Sequence, residues 1–254
     1  MPVHLQRVAH RGGSHLAPEN TMAAFRHALT MPIDAIELDV QMSRDGQAVI
    51  FHDNTIERLS DGEGNILDLD FAFLRSLNVA AHFSDGWPQR EYIPTLREVL
   101  ALVRNRVHTY IEMKASKRDG VHGRYPHIEE AVVREIRMAK AIDQVTIISF
   151  DWQLLHTVKQ LEPDLETGVN VSADMWSGDN VDALIAQVNE IGCHWINMDY
   201  KLATEAVVKE AHRHHLKCSL WTVNALDEMR RLASLGVDAL ISDRPDLFAQ
   251  ISRN

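Results

Sequence analysis

Short apolar runs alternate with segments of helical periodicity along nearly the whole chain. Alternation of this kind indicates βα units arranged around a parallel sheet. In the segments between the runs, apolar positions recur about every 3.6 residues, as they do on the buried face of a helix. The pattern predicts strands at residues 7–10, 35–40, 108–113, 145–149, 167–171, 195–198, 217–222 and 239–242. It predicts helices at residues 21–29, 95–103, 128–139, 152–161, 181–191, 204–214, 226–235 and 245–251.

Eight parallel strands close most simply into an α/β fold, the (β/α)8 barrel, in which helices surround the strands. Such a barrel typically takes about 250 residues, and this chain has 254. We therefore expect residues 1–254 to form one (β/α)8 TIM-barrel domain. Active sites of this fold lie at the C-terminal ends of the strands, so polar residues there are the first candidates for function.

One long segment interrupts the alternation between the second strand and its helix. About 40 residues, from about position 54 to 92, stand where loops of 2 to 6 residues are usual. We expect a short strand at residues 47–52 before this insertion and turns at its Gly- and Asn-containing stretch, residues 61–65. The insertion would emerge at the C-terminal face of the barrel. We expect its apolar side chains to wall or cap the site, namely Phe71, Phe73, Leu74 and Phe83.

The formal net charge of −10 argues against nucleic acid as a partner, because clustered Lys and Arg residues bind phosphate backbones. A small anionic substrate would need local positive charge, from a metal ion or from a few placed cations. The two cysteines, Cys193 and Cys218, are too few for a disulfide framework. No apolar run reaches the roughly 20 residues of a membrane span, and the N-terminus lacks the pattern of a signal peptide. These features predict a cytoplasmic protein.

The strand at residues 35–40 carries two carboxylates, Glu37 and Asp39, that are two positions apart. Strand residues alternate between faces, so these side chains point the same way, roughly 7 Å apart. We expect them to face the barrel interior while Ile36, Leu38 and Val40 face the helices. An unpaired carboxylate pair is costly to bury, which implies a cation between the two acids.

The third barrel strand repeats this arrangement, with Glu112 and Lys114 on one face. Glu112 would complete a cluster of three carboxylates with Glu37 and Asp39. The alternative is that Glu112 and Lys114 simply pair with each other inside the barrel. Three inward acids on neighbouring strands favour a metal site. Because all the ligands are oxygens, we expect one divalent ion, Mg²⁺ or Ca²⁺, rather than Zn²⁺.

Two histidines, His10 and His52, each end a predicted strand near this cluster. Histidine is the side chain best suited to exchange protons near neutral pH. The chain has 14 histidines, and any one of them would more often be a surface or structural residue. The position of these two, at strand C-termini beside the acids, favours a catalytic role.

Two cations near these residues, Arg11 and Lys114, meet the need for local positive charge. Arg11 offers a bidentate fork to a phosphate, and Lys114 offers a point charge. Glu19 lies in the capping segment of the first helix, where it either pairs with Arg11 or reaches the site. Trp221 is expected to face inward near the barrel mouth, where it walls a pocket for a small polyol or serves as a core aromatic.

Taken in order along the chain, these motifs resemble those of the glycerophosphodiester phosphodiesterase family. Each motif is weak alone, but the ordered set spans nearly the whole chain, and that family also carries an insertion after its second strand. The motifs are His10-Arg11-Gly12, Pro18-Glu19-Asn20-Thr21, Glu37-Leu38-Asp39-Val40, His52-Asp53, Glu112-Met113-Lys114, Trp221-Thr222-Val223-Asn224 and Ser242-Asp243-Arg244-Pro245.

The resemblance implies a substrate, which is a glycerophosphodiester such as glycerophosphocholine or glycerophosphoethanolamine, cleaved to glycerol 3-phosphate and an alcohol. The sequence leaves open which histidine is the acid. It also leaves open whether the glycerol 2-hydroxyl attacks first to give a cyclic phosphate. The implied site consists of the metal ligands Glu37, Asp39 and Glu112, the general acid and base His10 and His52, and the phosphate-binding Arg11 and Lys114.

Two other functions stay open at this point. A phospholipase D-like enzyme of the same barrel superfamily would need an apolar, membrane-facing rim or anchor. In the insertion, Asp68, Asp70 and Asp85 lie among the apolar residues and the chain is acidic, so we expect no stable membrane association. A non-catalytic phosphodiester-binding protein would be expected to lack a histidine or a metal ligand, and this chain keeps all of them. Head-group preference and oligomeric state also stay open.

Overall fold

The computed structural model of the chain describes residues 5–84, 86–118 and 120–251. Its strands are β1 (Gln6–Ala9), β2 (Ala35–Met42), β3 (Ala48–Ile50), β4 (His108–Met113), β5 (Ser116–Arg118), β6 (Val121–Gly123), β7 (Val145–Ser149), β8 (Glu166–Val171), β9 (Trp195–Asp199), β10 (Lys217–Trp221) and β11 (Ala239–Ser242). Eight of them, β1, β2, β4 and β7 to β11, form a closed parallel barrel, because β1 pairs with both β2 and β11. The predicted (β/α)8 TIM barrel is therefore confirmed.

The predicted barrel strands correspond one to one with the observed strands and differ from them only at their ends. β2 continues to Met42, past its predicted end, because Val40–Met42 pair antiparallel with the short β3. The predicted last residues of two other strands, His10 and Thr222, lie just after β1 and β10. These ends place His10 and Trp221 at the C-terminal mouth of the barrel.

Five of the helices that surround the barrel begin after a capping side chain. Thr21, Thr95 and Thr204 each accept a hydrogen bond from a backbone N–H of the first turn, so each is a cap rather than the first helical residue. The helices are α1 (Met22–Ala28), α2 (Phe71–Ser76), α3 (Leu96–Val103), α4 (Ile128–Ala139), α5 (Trp152–Leu161), α6 (Val181–Ile191), α7 (Glu205–Arg213) and α8 (Leu226–Ala233).

The segment predicted as a helix at residues 245–251 is a 3-10 helix, Pro245–Gln250, rather than an α-helix. Its hydrogen bonds span three residues, as in the bond from Leu247 N–H to the Arg244 carbonyl at 3.1 Å. Short helical segments commonly take this tighter form. Among the described residues, no helix combines the length and the apolar character needed to cross a membrane.

Two apolar layers follow from the alternation of side chains along the strands. Ile36, Leu38 and Val40 are buried between β2 and the helices, as predicted. A second cluster lies inside the barrel and includes Tyr110 and Trp195, whose ring centroids are 5.5 Å apart in an edge-to-face contact. These large side chains fill the interior beneath a cavity at the C-terminal mouth of the barrel.

The insertion at residues 54–92 has its own small apolar core. Leu74 of α2 is fully buried there with Ile56 and Ile66, whereas Phe73 is 45% exposed. None of the four apolar side chains expected to wall the site lines the cavity at the barrel mouth. The expectation that they wall the site is wrong, because Leu74 and Phe71 pack in the core of the insertion and Phe83 contacts Trp87 edge to face.

A hairpin of β5 and β6 follows β4 and is not predicted from the sequence. The two strands pair antiparallel between residues 116 and 123. The side chains of Val121–Gly123 are exposed, so the segment lacks the alternation of apolar and polar residues that marks a half-buried strand. The hairpin extends the C-terminal side of β4, beside the cavity.

Candidate active site

Three carboxylates from neighbouring strands meet at the C-terminal mouth of the barrel. Glu37 and Asp39 come from β2 and Glu112 from β4, where Asp39 and Glu112 are register partners. One oxygen of each carboxylate lies within 4.8 Å of the others. Glu37 and Asp39 are only 2% and 1% exposed, and Asp39 Oδ1 accepts no hydrogen bond from any described residue. This buried, all-oxygen cluster fits a hard divalent cation.

The local environment shifts the pKa values of the two β2 carboxyl groups in opposite directions. Burial, with the charges of Asp39 and Glu112, raises the pKa of Glu37 well above its usual value. Burial also acts to raise the pKa of Asp39, but the charges of Arg11 and Lys114 outweigh it and hold that pKa below its usual range. A proton therefore binds Glu37 more readily than Asp39 when no cation is present.

We expect cation binding to release on the order of one proton, because a ligand carboxylate must be deprotonated while burial favours the neutral form of Glu37. The affinity for Mg²⁺ should therefore increase as the pH rises towards the raised pKa of Glu37 and level off above it. Calorimetric titration in buffers of different ionisation enthalpy measures the protons released, and Glu37→Gln should abolish the release. A pH-independent affinity in the wild-type protein would count against Glu37 as a ligand.

Two histidines line the same cavity, and a carboxylate holds each of them through Nδ1. The distance from His10 Nδ1 to Asp243 Oδ1 is 2.6 Å, and the distance from His52 Nδ1 to Asp53 Oδ1 is also 2.6 Å. Because a carboxylate accepts a hydrogen bond, Nδ1 carries the proton and Nε2 is left to exchange protons with a substrate. His10 Nε2 lies 3.8 Å from Glu37 Oε2, against the acid cluster.

Asp243, just after β11, is itself fixed by several donors. Ser14 Oγ donates to its Oδ1 at 2.5 Å, and Asn224 Nδ2 donates to its Oδ2 at 2.7 Å. Burial acts to raise the pKa of Asp243, but the hydrogen bond and charge of His10 outweigh burial and hold that pKa below its usual range. Asp243 is therefore ionised at neutral pH and orients the ring of His10.

Arg11 enters the site through a left-handed turn at the end of β1. Its φ is 51°, and Gly12 and Gly13 follow with φ of 81° and 89°, values that favour glycine. A Cβ on Gly12 would lie 2.8 Å from the Cβ of Ala24, so glycine allows α1 to pack closely on the turn. The turn directs the backbone N–H of Arg11 to Glu37 Oε2 at 3.1 Å.

Arg11 and Lys114 supply positive charge beside the acid cluster. Arg11 Nη1 donates to Glu19 Oε1 at 2.9 Å, and Arg11 Nε lies 3.2 Å from Asp39 Oδ2. Lys114 Nζ donates to Glu112 Oε1 at 2.7 Å and lies 3.4 Å from Asp39 Oδ1 without a hydrogen bond. The pairing of Lys114 with Glu112 is thus present, and it forms part of the acid cluster rather than replacing it.

The cavity, of about 210 Å³, has a charged half and a largely apolar half. In the apolar half, the rings of Phe150 and Trp221 meet edge to face with 5.7 Å between their centroids. Trp221 Nε1 and Asn170 Oδ1 are buried there with no hydrogen-bond partner among the described residues. The lining consists of His10, Arg11, Glu37, His52, Glu112 and Lys114 on the charged side and Ile148, Phe150, Asn170, Trp221, Thr222 and Ile241 on the other.

Two of the predicted site residues do not line the cavity. Asp39 lies beneath the lining, within the acid cluster. Glu19 lies behind Arg11, where its carboxylate accepts hydrogen bonds from Arg11 and from Arg58 of the insertion. Glu19 therefore affects the site through Arg11 rather than from inside the cavity.

Several residues of the site are not identified from the sequence. Asp243 directly follows β11 and Asp53 lies three positions after β3, so their position near strand ends was an available signal. Arg58 donates to both Asp53 and Glu19, a contact that no sequence spacing indicates. Asn170 lies within an apolar strand, where its inward direction alone gives little sign of a role.

A phosphoric diester needs cations for its phosphate and apolar walls for its esterified alcohols, and the two halves of this cavity offer them. Hydrolysis of such an ester requires a proton donor and a proton acceptor, which the two carboxylate-bound histidines can supply. The fold and the site therefore define a phosphoric diester hydrolase built on a (β/α)8 barrel.

Comparison with known proteins identifies the family. The sequence model of the glycerophosphoryl diester phosphodiesterase family matches residues 10–247. The chain is 32% identical over 247 residues to a glycerophosphodiester phosphodiesterase of Caldanaerobacter subterraneus, with 97% of each chain covered. It is 30% identical over 265 residues to a glycerophosphodiester phosphodiesterase of Bacillus subtilis, covering 99% of this chain and 88% of the relative. The chain belongs to the glycerophosphoryl diester phosphodiesterase family.

Solved structures have the same fold. An Oleispira antarctica phosphodiesterase, in complex with the product sn-glycerol-3-phosphate, is 28% identical with a TM-score of 0.85, covering 97% of this chain and 96% of that chain. A putative glycerophosphoryl diester phosphodiesterase from Silicibacter pomeroyi is 24% identical with a TM-score of 0.87, covering 99% and 94% of the two chains, and supports the fold alone.

Proposed function

We propose that this enzyme hydrolyses glycerophosphodiesters, such as glycerophosphocholine and glycerophosphoethanolamine, to glycerol 3-phosphate and an alcohol. The observation that carries the proposal is the single cavity in which both histidines, both cations and the acid cluster converge. The product bound to the Oleispira phosphodiesterase supports the same chemistry here. The cavity is small enough to suit a glycerol phosphate unit with a small head group.

The proposed cofactor is one divalent cation, Mg²⁺ or Ca²⁺, held by Glu37, Asp39 and Glu112. The residues fit such an ion because their donors are all carboxylate oxygens and Asp39 Oδ1 has no hydrogen-bond donor among the described residues. When bound, the cation would supply Lewis-acid stabilisation of the negative charge on the phosphate. Lys114 and Arg11, which contact the same acids, also neutralise part of their charge.

The proposed proton transfers belong to His10 and His52. One ring removes a proton from the nucleophile, and the other gives a proton to the leaving alcohol oxygen. Asp243 and Asp53 keep Nδ1 of each ring protonated, so each ring exchanges protons through Nε2. The nucleophile is water or, if a cyclic phosphate forms first, the glycerol 2-hydroxyl.

Substrate binding is proposed to divide between the two halves of the cavity. Arg11 and Lys114 hold the phosphate, since both line the cavity and the guanidinium offers several donors. Trp221 walls the glycerol unit, since its ring lines the apolar half of the cavity. Glu19 fixes the guanidinium of Arg11 from behind.

We further propose that residues 1–254 act as one domain, with the insertion at residues 54–92 attached beside the mouth. The proposed partner is a small glycerophosphodiester rather than nucleic acid or a membrane surface. The net charge of −10 opposes binding to phosphate backbones and to anionic lipid.

A comparison of glycerophosphocholine with lysophosphatidylcholine tests the substrate class. With Mg²⁺ or Ca²⁺ present, we expect choline release from glycerophosphocholine and little turnover of the lysophospholipid, because none of the apolar side chains of the insertion lines the cavity to receive an acyl chain. Preferential turnover of the lysophospholipid would assign the enzyme to lipid substrates instead. If neither compound is hydrolysed with either ion, the proposed function is wrong.

A further inference from the structure

The guanidinium of Arg58, in the insertion, joins two carboxylates that hold different parts of the site. Its Nε and Nη2 donate to the two oxygens of Asp53, with 3.1 Å from Nη2 to Oδ1. Its Nη1 and Nη2 donate to the two oxygens of Glu19 at 3.0 and 2.8 Å. The planar fork of arginine suits such simultaneous contacts, which a lysine cannot reproduce.

Each of these carboxylates also contacts a residue that lines the cavity. Asp53 Oδ1 accepts the hydrogen bond from His52 Nδ1 at 2.6 Å, and Glu19 Oε1 accepts one from Arg11 Nη1 at 2.9 Å. Continuous contacts therefore run from His52 through Asp53, Arg58 and Glu19 to Arg11. They connect a histidine that follows β3 with an arginine that follows β1, two segments far apart in the chain.

The charges of this network favour the observed contacts. Burial acts to raise the pKa of Glu19, but the hydrogen bond from Arg58 and the charge of Arg11 outweigh it, so that pKa is lowered. For Asp53, burial is outweighed by hydrogen bonds from His52 and Arg58, which hold the pKa below its usual range. Both carboxylates are therefore ionised at neutral pH and accept hydrogen bonds from the cations on either side.

We propose that Arg58 is a positioning residue that keeps His52 and Arg11 in the correct relative position across the substrate phosphate. The inference rests on the proposed roles of those two residues. Arg58 is not part of the cavity lining, so it acts through Asp53 and Glu19 rather than on the substrate. The insertion thus contributes to catalysis through one side chain, although its apolar residues do not wall the site.

Arg58→Gln is expected to lower kcat roughly 10- to 100-fold. This is the usual loss when a residue that orients an active-site side chain through hydrogen bonds is removed. The KM for glycerophosphocholine should rise as well, because Glu19 and Arg11 are less firmly held. Arg75→Gln is the matched control, since Arg75 is also in the insertion and donates to both oxygens of Glu98 at 3.0 and 2.8 Å, away from the cavity. This control should leave kcat and KM unchanged.

Double variants separate positioning from a direct role. Adding Arg58→Gln to Asp53→Asn should lower kcat little further, and adding it to Glu19→Gln should raise KM little further, because residues that act through one contact are not additive. If Arg58→Gln changes kcat in the Asp53→Asn background and KM in the Glu19→Gln background by the same factors as in the wild-type protein, the proposal is overturned. An equal loss in Arg75→Gln would also overturn it, since the role of Arg58 would then be only to anchor the insertion.

Arg58→Lys keeps the proposal testable if the glutamine variant folds poorly. Lysine retains the charge but lacks the planar fork, so kcat should fall while the melting temperature stays near that of the wild type. Full activity of Arg58→Lys would overturn the proposal. His52→Ala in the same assay tests the proposed function separately, because an unchanged kcat there would remove the role on which the inference rests.

Discussion

His10→Ala and His52→Ala are each expected to lower kcat by about 10² to 10⁴, which is the contribution of a positioned general acid or base. Both rings line the cavity, and neither belongs to the acid cluster, so the cation site should persist in both variants. Turnover of glycerophosphocholine at saturating Mg²⁺ measures the effect. The double variant should lose less than the product of the single losses, because the two rings act on one transition state.

A leaving-group test assigns the two roles. A p-nitrophenyl leaving group hardly needs protonation, so the variant that lacks the general acid should recover most of its rate on such a diester, and the variant that lacks the base should not. His156→Ala, on the exposed face of α5, serves as the control and should retain wild-type turnover. If both active-site variants keep near wild-type turnover of glycerophosphocholine, the acid–base mechanism is wrong even though the fold is unchanged.

Removal of divalent cations with EDTA is expected to lower activity by about 10³-fold or more, because Lewis-acid stabilisation of a phosphate is worth several kcal/mol. Mg²⁺ or Ca²⁺ should restore the activity. Glu37→Gln should weaken cation affinity while leaving the fold intact, since it removes one of three converging carboxylates.

Glu166→Gln is the matched control for the acid cluster. Glu166 begins β8, at the opposite end of the barrel strands, and its carboxylate accepts hydrogen bonds from Trp195 Nε1 and Lys217 Nζ there. The Glu166→Gln substitution should leave cation affinity unchanged. Full activity of the wild-type protein after exhaustive chelation would refute the metal assignment.

The acid cluster and the barrel were predictable because strand geometry is regular. Residues two apart on a strand share a face, so Glu37 and Asp39 were expected to converge, and the pairing of β2 with β4 adds Glu112. For these acids, the position along a strand is enough to determine the direction of the side chain. His10 and His52 lie just beyond β1 and β3, and His52 reaches the mouth because β3 runs back antiparallel to β2.

The contacts of Asp243 with His10 and of Arg58 with Glu19 were not predictable, because they join distant segments, whereas Asp53 is the chain neighbour of His52. Asp243 lies 233 positions from His10 in the chain, and the contact of Arg58 with Glu19 spans 39 positions. Neither spacing corresponds to a helical or strand repeat. The fold of the insertion, on which the placement of Arg58 depends, likewise follows from its own small core rather than from a regular pattern.

Phosphorus-31 NMR of the products formed from glycerophosphocholine tests most directly whether this barrel is a metal-dependent glycerophosphodiesterase. With Mg²⁺ or Ca²⁺, we expect the diester resonance to be replaced by that of glycerol 3-phosphate, and with EDTA the diester should persist. Formation of phosphocholine in place of glycerol 3-phosphate, or undiminished hydrolysis without any divalent cation, would contradict the proposed function.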